Sequence, residues 1–241
     1  SSFEIKEILK ISERYFIEIF DITLDKFNRN IKINKDHNRL FYILQTRVKN
    51  CKFIRKNFSI FLGRLGLKIN ETFMDMISMR FSPSIGMKRL GSLKPAPPHR
   101  DTWASNIFNQ INFWVPFHNV KKESSIYIVP KYFSSAISNN SALWSYHLHK
   151  KSNDYPSVPE TRIFLHEQDK VSFDLLKGEV LCFSGHHLHG SKVGIKQRIN
   201  LETRIVNRND NDLYNIPKNL DSKNNEKKSK WFRNLETQEY Y

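Results

Sequence analysis

Residues 110–116 read Gln110-Ile111-Asn112-Phe113-Trp114-Val115-Pro116, polar and apolar side chains alternating up to a proline. Alternation at period two marks a strand with one buried face, and a proline cannot donate into a central ladder, so the run stops there. Runs of the same kind lie on both sides. Phe73 to Phe81 is rich in apolar residues and halts at Ser82-Pro83, Ser125 to Val129 ends at Pro130, and Glu179 to Phe183 follows Lys177-Gly178. Ile199 to Val206 closes the series. Short strands punctuated by Gly, Pro and Asn predict a β-sandwich or barrel. Residues 138–170, with Pro156 and Pro159, read as a long excursion of the kind that forms lids or substrate walls.

Upstream the period changes. From Phe3 to Phe20, Ile5, Ile8, Leu9, Tyr15, Phe16, Ile19 and Phe20 recur near every 3.6 residues, which predicts an amphipathic helix. A second helical stretch is expected from Asn38 to Leu65, broken near Cys51, with Lys49, Lys52, Arg55 and Lys56 on a solvated face. Beyond Val206 the chain turns Asn-, Asp- and Lys-rich and regains aromatics at Trp231, Phe232, Tyr240 and Tyr241, an extended tail docked at its end. The expected organisation is one domain: a helical wrap over 1–70, a β core over 71–206 and a polar tail over 207–241.

The chain has 241 residues, 39% hydrophobic and 13% aromatic, which excludes a disordered polypeptide. No apolar run is long enough to span a membrane, and Ser1 to Lys6 lacks the basic-then-apolar pattern of a signal peptide. Two cysteines, Cys51 and Cys182, cannot build a disulfide framework, so a cytoplasmic setting is expected and Cys182 reads as a buried structural thiol. The 39 Lys+Arg exceed the 24 Asp+Glu by 15, mostly within residues 1–100. Such a balance suits an anionic partner, although solubility and a Lys/Asn/Ile-rich codon bias explain it equally.

Three segments carry chemistry. His99-Arg100-Asp101 puts an imidazole and a carboxylate two residues apart, on one side of an extended strand. Some ninety residues later comes Gly185-His186-His187-Leu188-His189-Gly190. A second histidine there completes a two-histidine, one-carboxylate face that leaves positions open on an octahedral metal. In Gln197-Arg198-Ile199-Asn200-Leu201-Glu202-Thr203-Arg204, strand alternation puts Arg198, Asn200, Glu202 and Arg204 on one face. An inward arginine beside a metal can fork two hydrogen bonds onto a carboxylate.

Taken in order, His99-x-Asp101, His189, and Arg198 with Asn200 resemble the Fe(II)/2-oxoglutarate-dependent dioxygenase superfamily. With Trp103, Gln110 to Pro116, Val129-Pro130-Lys131-Tyr132-Phe133, Phe183-Ser184-Gly185 and Leu188-His189-Gly190, the pattern is similar to its phytanoyl-CoA dioxygenase-like branch, of the bacterial secondary-metabolite or streptomycin-biosynthesis type. The match covers about residues 75–206; Asn200 departs from it, since many members have Ser or Thr there.

The resemblance implies a double-stranded β-helix, the jelly-roll or cupin-like core, as well as the following roles. His99, Asp101 and His189 would hold Fe(II). Arg198 would anchor 2-oxoglutarate, with Asn200 or Asn112 as helpers, and Arg204 would reach either cosubstrate or substrate. His187 competes with His189 as ligand, while His186 would be structural. The implied reaction consumes O2 and hydroxylates an unactivated C–H of a small polar metabolite, with succinate and CO2 as coproducts. A carboxylate at Asp101 argues against a halogenase.

Trp103, Trp114 and Tyr132 are candidates for the substrate wall, against the alternative that large aromatics in a β-sandwich form core. His118, His147, His149 and His166 read as surface residues. Two other activities share these residues: an alkylated-nucleic-acid dealkylase of the same superfamily, which the short gap from His189 to Arg198 disfavours, and a zinc or manganese cupin-type hydrolase or isomerase. A monomer or homodimer is expected, with a small-molecule substrate and no membrane partner.

Overall fold

The structure, a computed structural model, describes residues 2–30, 34–87, 93–152, 155–210, 220–224 and 226–241, leaving aside the side chains of 28–30. The first helix, α1 (Phe3–Phe20), matches the predicted span. Ser2 caps it by accepting from the Ile5 N–H, and Asp21 ends it in the left-handed region at φ 55°. Ile5, Ile8, Leu9, Phe16 and Phe20 form its buried stripe. After α2 (Leu24–Asn30) the second stretch divides as its break at Cys51 predicts, into α3 (Lys35–Lys49) and α4 (Lys52–Arg64), with Cys51 as the N-cap of α4.

Among the described residues nine strands follow in two antiparallel sheets. Their ranges are β1 (Thr72–Met74), β2 (Ser78–Ser82), β3 (Ile111–Pro116), β4 (Ile126–Val129), β5 (Val171–Ser172), β6 (Leu181–Ser184), β7 (Leu188–Ser191), β8 (Arg198–Asn207) and β9 (Arg233–Asn234). The larger sheet runs β6-β3-β8-β1-β9, and β2 pairs with β8 as well. The smaller runs β5-β4-β7. The long β8 organises the larger sheet. One edge pairs β2 (Ser82↔Arg198) and then β1 (Thr72↔Asn207); the other pairs β3 (Pro116↔Asn200 to Ile111↔Ile205). Two facing antiparallel sheets fed by N-terminal helices make the double-stranded β-helix, and no helix of the described residues is long and apolar enough to cross a membrane.

The alternation of β8 decides what each face does. Ile199, Leu201 and Ile205 join the main core with Phe81, Phe113 and the stripes of α1, α3 and α4, so the helices cover the outer face of the larger sheet. Each fully buried Phe or Leu there contributes about 1.5–3 kcal/mol. The inner face is left to the polar residues of the same strand. Between the sheets Trp114, Ile126, Ile128 and Phe183 form a smaller apolar cluster.

One expectation changes. The 138–170 excursion carries a short helix and a 3-10 turn (Glu167–Asp169) rather than loop alone. After β2, short helices α5 (Asp101–Ser105) and α6 (Tyr146–Lys151) lie among the described residues. The tail does dock: β9 pairs with β1, and Phe232 is buried against Phe73, Ile107 and Val206. Its segment 211–219 lies outside the described residues.

Candidate metal centre

His99 does not lie in a named strand. It forms an isolated antiparallel bridge with His189 of β7, and the two residues exchange both backbone hydrogen bonds at 2.9 Å. Asp101 is the first residue of α5, not the next strand position. The same-side geometry survives because Arg100 between them is extended, at φ −113° and ψ 136°. Arg100 then points the opposite way, into the interior, with 0% exposure. There its guanidinium donates to the Tyr132 and Ser135 carbonyls at 2.5 and 2.8 Å, and to His186 Nε2 at 2.7 Å. Asp221, from the tail, lies 3.5 Å from Arg100 Nε.

His99, Asp101 and His189 converge, all buried, with ligand atoms within 4.8 Å of one another. His99 Nε2 is 3.8 Å from Asp101 Oδ1, and His189 Nε2 is 3.6 Å from Oδ2. Each ring is oriented from behind. His99 Nδ1 is 2.7 Å from the Pro97 carbonyl and His189 Nδ1 is 2.9 Å from the His187 carbonyl. A carbonyl can only accept, so each Nδ1 donates to it and each Nε2 is turned towards Asp101. Burial first, then His189, pushes the His99 pKa down to about 3, so this ring is neutral at pH 7.

Asp101 is held as a carboxylate. Burial alone would raise its pKa, but Arg204, His189, His99 and the Asn112 amide outweigh it and bring it down to about 2. Asn112 Nδ2 donates to Asp101 Oδ2 at 2.5 Å, and Arg204 Nη1 reaches Oδ1 at 3.4 Å. Asn112 and Arg204 are register partners across β3 and β8, so the ladder itself aims both at one carboxylate. Two imidazoles and one carboxylate, with both Nδ1 atoms satisfied elsewhere, fit a divalent transition metal.

The triad lines a cavity of about 360 Å³ between the sheets. Arg198, 1% exposed, lines it too. Its Nη1 donates to the Ser124 carbonyl (2.7 Å), Nη2 to Ser191 Oγ (2.9 Å) and Nε to Asn200 Oδ1 (3.3 Å). Three of its five N–H groups are used on neutral acceptors, and among the described residues no carboxylate pairs with it. Burial, then Arg80, lowers its pKa to about 9, which leaves it a cation at neutral pH.

The remaining predicted positions divide. Trp114 lines the cavity, its ring 5.3 Å from the Arg198 guanidinium carbon. Trp103 does not: it is fully buried behind the smaller sheet, packed with Tyr127, Val129 and Leu188, and its Nε1 donates to Asp221. Tyr132 also stands outside the cavity, in a 3-10 turn whose carbonyl serves Arg100. Asn200 orients Arg198, and Asn112 holds Asp101. Arg204 is tied to Asp75, which accepts from Nε at 3.1 Å and from Nη2, and to Asp101.

His187 is no ligand. It sits in the turn before β7, with Nδ1 beside the Ser184 carbonyl and its ring 4.4 Å from Phe133. His186 is structural, accepting from Arg100; burial and that cation lower its pKa to about 4. His147 and His166 are exposed and His118 half-buried, but His149 lines the cavity, contrary to a surface placement. Cys182 is exposed, because on edge strand β6 its side chain faces away from the core.

Several cavity residues had no motif to betray them. Arg80 on β2 donates Nε to both Glu202 oxygens at 2.9 and 3.1 Å. Lys49, Lys94, Lys150, Tyr146 and Trp231 reach the same cavity from four further segments. Glu202 could be placed by strand alternation, whereas the others depend on how the helices and tail wrap.

No family model matches the chain, and no curated protein does. Among solved structures, it is similar to EvdO2 from Micromonospora carbonacea var. aurantiaca complexed with 2-oxoglutarate, at 10% identity and a TM-score of 0.45, over 69% of this chain and 63% of that one. It is similar to the epimerase SnoN in complex with Fe3+, alpha ketoglutarate and nogalamycin RO, at 13% identity and a TM-score of 0.42, covering 85% and 74%. It is also similar to AviO1 from Streptomyces viridochromogenes, at 12% identity and a TM-score of 0.41, covering 87% of each chain. The chain thus spans less than two thirds of the length of EvdO2. The chemistry of the site rests on its own residues.

Proposed function

We propose that this chain is an Fe(II)- and 2-oxoglutarate-dependent oxygenase that hydroxylates an unactivated C–H of a small polar metabolite, releasing succinate and CO2. One observation carries the reading: two carbonyl-locked imidazoles and one carboxylate share a cavity with a buried arginine that has no acidic partner. His99, Asp101 and His189 would hold the iron, which when bound supplies the oxidising chemistry that no side chain can.

The residues prepare that chemistry. The reciprocal His99–His189 bridge fixes the separation of the two rings. Asn112 and Arg204 hold Asp101 ionised and oriented. Arg198 keeps two N–H groups beyond those bonded to Ser124, Ser191 and Asn200, the number that a carboxylate accepts from an arginine fork. A zinc hydrolase would use the same triad but has no need of that arginine. In the dealkylase reading a free Arg204 would serve the ligand, and here Asp75 and Asp101 engage it.

The test is oxygen uptake coupled to succinate formation from 2-oxoglutarate in Fe(II)-loaded protein. Both are expected in the wild type and absent in Asp101→Ala. Arg198→Ala is expected to raise the 2-oxoglutarate requirement with iron retained. Wild-type succinate formation in Asp101→Ala would overturn the ligand assignment.

A further inference from the structure

The cavity's charges do not balance. Its three acids are already engaged: Asp75 and Asp101 by Arg204, and Glu202 by Arg80. With Arg198 assigned to the cosubstrate, Lys49, Lys94 and Lys150 remain on the cavity wall. Among the described residues no carboxylate forms an ion pair with any of them. They come from three separate segments, the last residue of α3, the loop before His99, and α6.

Of the three lysines only Lys150 is exposed. Lys49 and Lys94 are half-buried, and Lys49 is lowered in pKa by burial first and then by the charge of Lys150. Three like charges around one concavity repel each other at a cost in free energy, and that cost is relieved when an anion enters. We propose that Lys49, Lys94 and Lys150 form the recognition site for a phosphate-type oxyanion carried by the substrate.

Phosphate fits better than carboxylate for two reasons. It carries about −1.5 to −2 charges at pH 7, against −1, and so answers three ammonium groups more fully. Lysine acts as a point charge that suits a tetrahedral oxyanion, whereas planar carboxylates favour the arginine fork that Arg198 presents. Tyr146 and Trp231, with ring centroids 5.0 Å apart and planes tilted by 56°, line the same cavity and offer aromatic surface to the rest of the molecule. That the phosphate belongs to a substrate rests on the oxygenase reading; the anion site does not.

Calorimetric titration of the metal-free full-length chain with inorganic pyrophosphate tests this. Saturable one-to-one binding is expected in the wild type. Lys49→Gln, Lys94→Gln and Lys150→Gln should each weaken it about tenfold, the loss of one charge-assisted contact. Lys150→Arg should restore it, which separates lost charge from lost folding. Arg198→Gln should change it by less than about twofold. No wild-type binding up to ~10 mM, or binding lost in Arg198→Gln and kept in the lysine variants, would overturn the proposal. A single-stranded oligonucleotide binding more tightly than pyrophosphate through the same lysines would overturn its small-substrate form. If iron-loaded wild type forms no succinate while pyrophosphate binding behaves as expected, the oxygenase reading fails and the anion site stands.

Discussion

His99 and His189 exchange backbone hydrogen bonds in both directions, each 2.9 Å, with ring centroids 4.2 Å apart. The main chain, not the side chains, therefore sets the spacing of the two imidazoles. Removing one ring should leave the bridge in place. His99→Ala and His189→Ala are expected to unfold within about 2 kcal/mol of the metal-free wild type. Both should lose the stabilisation that Fe(II) gives the wild type, about 2.7 kcal/mol at a hundredfold excess over Kd. Chemical unfolding with and without Fe(II) under anaerobic conditions measures both. A full metal-induced gain in His189→Ala would exclude it as a ligand.

In the proposed reading Asn112 would act on the metal through Asp101. Without its amide the carboxylate keeps Arg204 at one oxygen and loses its donor at the other, so its orientation loosens. Asn112→Ala should lower metal affinity by about 10–100-fold with little change in the KM for 2-oxoglutarate. Equilibrium dialysis with Fe(II), beside steady-state kinetics, separates the two. A raised KM at unchanged metal affinity would return Asn112 to the cosubstrate.

Asp221 supports the site from behind. It accepts from Trp103 Nε1 at 2.7 Å and from the Ile137 N–H at 3.1 Å, and faces the buried Arg100 between His99 and Asp101. Asp221→Ala leaves that guanidinium without its counter-charge and should cost about 3–5 kcal/mol. Asp221→Asn retains an oxygen for Trp103 and should cost less. Urea unfolding of both variants checks the order; equal losses would place the cost on packing alone.

Acid should destabilise the metal-free protein earlier than its carboxylates alone would. His186 and His99 have folded pKa values near 4 and 3 against an ordinary 6.5. The unfolded chain therefore takes up protons below about 6.5 that the folded chain refuses. Stability is full above that pH and falls as pH drops through the window, by about 1.4 kcal/mol per pH unit for each histidine. Asp101, held near 2 against 3.8, adds stability that is full above about 3.8 and is lost as pH falls from there towards 2. Unfolding free energies measured between about pH 7 and 5 should show the slope. A flat profile there would mean these rings are already charged in the folded protein.

Much of this was written in the linear order of residues. Period 3.6 placed α1, the break at Cys51 divided α3 from α4, and alternation ending at Pro116 and Pro130 bounded β3 and β4, because those patterns depend only on local geometry. The residues that can hold a metal were legible for the same reason: an extended Arg100 forces its two neighbours to one side wherever the segment lies. What lay beyond the sequence was every relation that crosses the chain. Only folding showed that Trp103 and Tyr132 pack beside Arg100 and do not line the cavity, that Asn112 and Arg204 converge on Asp101 through the β3–β8 register, and that lysines from α3, a loop and α6 gather around one cavity. Side-chain alternation is a property of a few consecutive bonds, whereas charge balance and burial belong to the packed whole, where segments far apart in sequence become neighbours.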